Sequence, residues 1–208
     1  MSGISADART PSSLDDIVNM EASKSAIPLG RALLFEFIAT VGRAADLLTK
    51  YWIFTWPDLD GGNIYWLWPE HAGFQRSLNE GALFGFGQGM VWLFAAVSIV
   101  AAIAIPVWLF VVGAAADRWL NLALGCVMAG VLGNLYDRLG LPALKWMPPH
   151  PRAGETVYAV RDWILLQWND RWVWPNFNIA DALLVTGTCL LLWHAYGHTE
   201  RKPPSRET

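Results

Sequence analysis

Two asparagine–aspartate pairs interrupt an otherwise apolar chain. Asn134 and Asp137 are three residues apart, as are Asn178 and Asp181, and a further acid, Asp162, lies between the pairs. Acids at the edge of an apolar environment do proton chemistry. Two carboxyl groups brought close share one proton, because both cannot be charged cheaply where water is scarce. One then serves as general base on a water and the other as general acid toward a leaving amine. That is hydrolysis of the aspartic-protease type, which needs no metal and no covalent intermediate. A proton-coupled transporter would keep the same acids, and spacing alone leaves both readings open.

The elements that position these acids read as membrane spans. Of 208 residues, 54% are hydrophobic and 16% charged, against about a quarter charged in a soluble domain. The chain holds 13 tryptophans, a residue that favours the membrane–water boundary. A net charge of −3 argues against a nucleic-acid partner, since phosphate binding needs a basic face. Cys126 and Cys189 lie in apolar runs and read as buried small hydrophobes. His71, His150, His194 and His198 are scattered without ligand spacing, so no metal and no cofactor is expected.

Each of four stretches, about 31–54, 90–112, 119–139 and 178–196, is long enough to cross a bilayer. Pro106 is tolerable inside the second, because neighbouring helices can satisfy a freed carbonyl. The expected fold class is an all-α membrane protein: a four-transmembrane-helix bundle with a small extracytoplasmic β-structure from the long loops. The loops cover about 55–89 and 140–177, and "VYAVRDWILLQW" and "RWVW" within the second read as short strands. Residues 1–27 read as a flexible tail with no signal-peptide pattern, 28–200 as one domain, and 201–208 as a second tail. Four spans put both termini on one side. Lys24, Arg31, Arg118, Arg201, Lys202 and Arg206 make that side cytoplasmic by the positive-inside rule, although the loops carry Arg76, Lys145, Arg152, Arg161 and Arg171.

Glu36, Arg43, Asp46 and Lys50 share one face of the first span, which must turn into the bundle rather than toward lipid. As a stripe of salt bridges it would only hold helices together; as a site it would do chemistry. Gly125, Ala129 and Gly133, four apart, make a flat strip for close helix approach, with Asp137 continuing it. Because the third and fourth spans run in opposite directions, their Asn-x-x-Asp ends meet at the outer boundary.

Five blocks in order match a known family. They are "ADLLTKYW" through Asp46, Thr49 and Lys50; "NEGALFG" through Asn79, Gly81, Ala82, Phe84 and Gly85, with Leu83 in place of Ala; "AGVLGNLYDRL" through Gly130, Gly133, Asn134, Asp137 and Arg138, with Ala129 in place of Gly; "VRDWI" through Val160, Asp162 and Ile164; and "FNIADA" through Phe177, Asn178, Ala180 and Asp181. Over about residues 30–200 the chain resembles the lipoprotein signal peptidase (signal peptidase II) family of bacterial membrane aspartic peptidases. The resemblance implies cleavage of prolipoprotein signal peptides before a cysteine that already carries a diacylglyceryl group. It implies that Asp162 and Asp181 are the catalytic pair, that globomycin inhibits, and that the β-structure comes from the first long loop. The implied setting is the inner membrane, with prolipoprotein and lipid as partners and the molecule a monomer. Asp46, Lys50, Asn79, Gly81, Gly133, Asn134, Asp137, Arg138, Asn178 and Ala180 are the expected supporting or substrate-binding residues.

Physical reading adds roles. Arg138 is expected to turn back on Asp137 as a bidentate partner, keeping that acid ionised and structural. Arg161 stands where the family has an aliphatic residue. On a strand it faces away from Asp162, toward headgroups; pointing inward, it would compromise proton sharing. The stretch 139–158 is longer than usual and reads as a surface elaboration. Glu80 reads as solvated, and the tryptophans as interfacial anchors. The alternatives are a non-catalytic relative that binds lipoproteins, made plausible by Arg161, and a transporter. A presenilin-like peptidase is disfavoured because Asp181 lacks the G-x-G-D context.

Overall fold

The computed structural model describes residues 29–81, 86–169 and 171–199. The two expected tails, and Ala82, Leu83, Phe84 and Gly85 of the second motif, lie outside the described residues. Four long helices are described: α1 (Leu29–Thr55), α2 (Val91–Pro106, continued by a π-helical stretch at Val107–Val111), α3 (Arg118–Arg138) and α4 (Ile179–Thr199). Three are long and apolar enough to cross a membrane, over Val91–Val111, Arg118–Arg138 and Ile179–Tyr196. The 27-residue α1 has the length but carries Arg31, Glu36, Arg43, Asp46 and Lys50.

Helix α3 is the central pillar, packed against each of the other helices. Small residues allow this, since apolar surface alone drives no association in lipid. A Cβ added to Gly133 would lie 2.5 Å from Asp46 Oδ2, and one added to Gly130 would lie 2.4 Å from the Ala180 carbonyl. Ala129 fits only because Gly42 of α1 faces it. At its start, Asp117 Oδ1 caps α3 by accepting from the Trp119 and Leu120 amides at 2.7 and 3.2 Å. At its end Gly140 adopts φ +68° and its amide donates to the Asp137 carbonyl at 2.9 Å, which stops the helix.

The sheet is four-stranded and antiparallel, in the order β1 (Tyr65–Trp68), β2 (Ala72–Asn79), β3 (Val160–Asn169), β4 (Trp172–Phe177). It therefore draws on both long loops, not on the first alone. The reason is energetic: a two-stranded hairpin is marginal by itself, and β3 supplies the missing ladder. Opposite β3, Ser77 pairs with Asp162, Leu78 with Arg161 and Asn79 with Val160. Ile53, Leu59 and Trp163 form the buried core that seats the sheet on the end of α1. Arg76 clamps it there through the Ile53 and Trp56 carbonyls and Asp60.

Two expectations are corrected. Only Asp46 and Lys50 of the α1 charges are buried; Glu36 and Arg43 are exposed and line a groove with Ala102, Pro106, Met128 and Leu132. Residues spaced by seven drift about 20° around a helix per repeat, so the stripe leaves the α3 interface toward the N-terminal end of α1. Cys126 is buried, but Cys189 is exposed on α4.

Gly133→Ala must displace the buried Asp46 carboxylate and is expected to cost about 1–3 kcal/mol. Gly30, with nothing within 4 Å of an added Cβ, should accept alanine with no loss. Thermal unfolding of both variants in detergent checks this.

Candidate active site

The site is organised around one ammonium group. Lys50 of α1 is fully buried, and its Nζ lies 2.8 Å from Asp46 Oδ2, 3.0 Å from Asp137 Oδ2 and 2.9 Å from Asn134 Oδ1. Lysine can only donate. Its bond to Asn134 Oδ1 therefore fixes which way the Asn134 amide points, and Nδ2 is left to donate to Asp181 Oδ1 at 2.8 Å.

A second amide is fixed by the same logic. Asn178 is the N-cap of α4: its Oδ1 accepts from the Asp181 amide at 2.9 Å, while Asp181 Oδ2 accepts from the Asn178 amide at 3.2 Å. This reciprocal capping box explains the three-residue spacing. With its oxygen committed to a backbone donor, Asn178 turns Nδ2 to Asp162 Oδ1 at 2.6 Å and Asn134 Oδ1 at 3.2 Å. Asn79, at the end of β2, donates to the other oxygen, Asp162 Oδ2, at 3.1 Å. The two acids are thus joined through Asn178 and Asn134. Asp162 is 1% exposed, and Asp181 is half-buried.

Arg161 and Asp162 point to opposite faces of β3. Arg161 does not face headgroups: it is buried, and its Nε and Nη2 meet Asp137 Oδ1 at 2.9 and 2.8 Å while its backbone amide donates to Asp137 Oδ2 at 3.1 Å. The expected Asp137–Arg138 pair is thereby corrected. Asp137 is satisfied by Arg161 and Lys50, across the α3–β3 and α3–α1 contacts. Arg138, one residue on and turned by 100° around the helix, lies on the other side. There its Nη2 donates to the Gly81 carbonyl at 3.2 Å, its guanidinium lies over the Phe94 ring, and its charge acts on Asp181 and Asp162. Glu80 is not free in solvent either, since its Oε1 pairs with Arg152 Nη2 at 2.8 Å.

Asp46 and Asp137 are held by cations, and Ala180 adds a backbone donor to Asp46 Oδ1 at 2.9 Å. Among the described residues, Asp162 has no such ion pair at contact distance. Burial, then the neighbouring Asp181 charge, push its pKa from 3.8 up to about 7, against the lowering effect of the Asn79 and Asn178 bonds and of Lys50. The arrangement brings together a buried carboxyl able to hold a proton near neutrality and a second, half-buried carboxyl. The structure brings Asp46, Lys50, Asn79, Asn134, Asp137, Arg138 and Asn178 together in this cluster; Gly133 lies against Asp46, Ala180 meets Asp46 through its amide, and Gly81 meets Arg138 and Asn79 through its backbone. The roles of Arg138, Arg161 and Arg152 lay beyond sequence reasoning. Strand alternation did separate Arg161 from Asp162, but nothing local names a partner 24 residues away.

A family model described as signal peptidase (SPase) II matches residues 38–196. A lipoprotein signal peptidase of Rhodopirellula baltica is 47% identical over 173 residues, covering 83% of this chain and 75% of that one. One from Pseudomonas syringae pv. tomato is 33% identical over 175 residues, covering 82% and 90%. A solved bacterial membrane enzyme has the same fold, with a TM-score of 0.64 at 24% identity, covering 88% of this chain and 98% of that one.

Lys50→Met would leave Asp46 and Asp137 buried with Arg161, among the described residues, as the remaining cation at contact distance. Breaking a buried pair on one side costs about 3–5 kcal/mol. The expected outcome is a large drop in folded yield and thermal midpoint, read by size-exclusion and thermal unfolding in detergent.

Proposed function

The chain belongs to the signal peptidase II family and so is a peptidase that removes signal peptides from prolipoproteins; from that premise we propose that Asp162 and Asp181 are its catalytic pair. The observation that carries this reading is the division among four neighbouring acids. Asp46 and Asp137 are neutralised by Lys50 and Arg161, whereas Asp162 and Asp181 are hydrogen-bonded by amides and free to exchange a proton. Asp181, half-buried, takes a proton from the attacking water as its oxygen adds to the scissile carbonyl. Asp162 gives its proton to the leaving nitrogen as the C–N bond breaks, and transfer between the two acids restores the starting state.

The substrate is proposed to be diacylglyceryl-modified and cut before the lipidated cysteine, as the family resemblance implies. Its signal helix enters sideways from the membrane, and globomycin competes for the same cleft. We further propose that α1 crosses the membrane with α2, α3 and α4. Its length and the mutual neutralisation of Asp46 and Lys50 support this. Both long loops then lie on the outer side of the inner membrane, and the termini are cytoplasmic. The positive-inside rule supports this orientation through Lys24, Arg31, Arg118, Arg201, Lys202 and Arg206, against Arg76, Lys145, Arg152, Arg161 and Arg171 on the loops. Residues 28–200 act as the peptidase domain between two tails. Family membership does not favour the transporter. The non-catalytic alternative loses its motive, because Arg161 is turned away from Asp162.

Asp162→Asn and Asp181→Asn are each expected to lower cleavage of a purified diacylglyceryl-modified prolipoprotein by more than 10³-fold while the folded yield stays near the parent's; full turnover by either would reject the assignment. The rate should also carry an alkaline limb. Asp162 is protonated below about 7 and ionised above it, so cleavage falls as pH rises through that region, the apparent value belonging to the coupled pair.

A further inference from the structure

The long connection between α3 and β3 is not a loose elaboration. Its limbs pair, with the Trp146 amide donating to Glu155 at 3.0 Å, Gly154 back to Trp146 at 2.9 Å and Val157 to Leu144 at 2.9 Å. His150 stacks on Trp146 at 4.0 Å with the rings 13° from parallel, and the Arg152 guanidinium lies 4.6 Å from the Trp146 ring centre. The Arg152 amide donates to His150 Nδ1 at 3.2 Å. At its far edge, Tyr158 packs on Trp92 at the start of α2. From this support Arg152 reaches Glu80.

Glu80 sits between two residues of the site. Before it, Asn79 holds Asp162 Oδ2; after it, the Gly81 carbonyl accepts from Arg138. The pairing of β2 with β3 ends at Asn79 opposite Val160, so among the described residues the ladder does not extend to Glu80 and Gly81. Yet that turn helps set where the Asn79 amide aims, because Asn79 Oδ1 accepts from the Gly81 amide at 2.9 Å, with Gln88 Nε2 a longer donor at 3.4 Å. We infer that Arg152 is a positioning residue, delivered by the long connection to hold the Asn79–Gly81 turn in register with the acid pair. The inference rests on the assignment of Asp162 and Asp181 as catalytic.

Magnitudes separate this role from a structural one. The side chains of Arg152 and Glu80 are 41% and 22% exposed, and a pair of that kind contributes little to stability. Misplacement near the reacting groups, by contrast, can cost up to about 10²-fold in rate. The effect belongs in turnover and not in unfolding.

The experiment uses the full chain in detergent micelles with diacylglyceryl-modified prolipoprotein. Arg152→Gln, Glu80→Gln, the double variant and Arg152→Lys are compared for kcat, KM, thermal midpoint and the pH dependence of the rate. Each Gln variant should lose roughly 5- to 30-fold in kcat with KM and midpoint near the parent's. The double variant should lose no more than either single one, since both break one unit. Arg152→Lys, which keeps the ion pair, should recover most of the rate.

The pH profile is decisive for Glu80→Gln. Asp162 is faced by Asp181 and Asn178 from the α4 end, Asn79 from β2, Lys50 from α1 and Arg138 from α3. Removing the Glu80 charge through space alone would move the alkaline limb down. Loss of the Asn79 bond, which stabilises ionised Asp162, moves it up. An upward shift supports the inference. A downward or absent shift, parent-like turnover in both singles, or additive losses that follow the folded fraction would overturn it. Activity in Asp162→Asn or Asp181→Asn would instead remove the catalytic assignment beneath it.

Discussion

A single ammonium group with three acceptors is the constraint on which the rest depends. Lys50 has no exposed surface, so its charge is tolerable only if every N–H is used and opposite charge is near. Asp46 and Asp137 supply the charge and Asn134 the remaining acceptor. The requirement links α1 to α3 at one level along their axes. It also reaches forward: by claiming the oxygen of Asn134, it orients the amide that holds Asp181.

Chemically similar acids are given different work by their partners. Asp46 and Asp137 face cations and serve as counter-ions. Asp162 faces amides in a dry setting, where a proton is retained near neutrality. Strand geometry makes the division sharp. Adjacent residues on β3 project to opposite faces, so Arg161 closes the Asp137 cluster on one side while Asp162 enters the site on the other. A cation beside a buried acid in sequence does not pair with it when the strand stands between them. Arg138 follows the corresponding rule on a helix: one step beyond Asp137 turns it out of the structural cluster and toward the pair.

Close backbone approach makes these contacts short. Gly133 lets Asp46 and Ala180 meet α3 together, and Gly130 receives the first turn of α4. The sheet extends the same economy beyond the helices, since β2 and β3 pair only if both connections fold onto the end of α1. Asn79 and Asp162 then come from different loops yet lie within hydrogen-bond distance.

By itself, the sequence determined the three apolar helices, the small-residue strip of α3 and the spacing that sets Asn178 beside Asp181 and Asn134 beside Asp137, because each depends on residue type and local periodicity. It also separated Arg161 from Asp162, because alternation is local. Tertiary structure alone decided who neutralises whom. Arg161 and not Arg138 answers Asp137, Lys50 joins two acids and an amide, and Arg152 meets Glu80. It decided, too, that Glu36 and Arg43 leave the interface and that the sheet spans both connections. Those outcomes turn on distance between segments far apart in the chain, and buried charge is compensated by whichever partner the packing brings near, which no local pattern encodes.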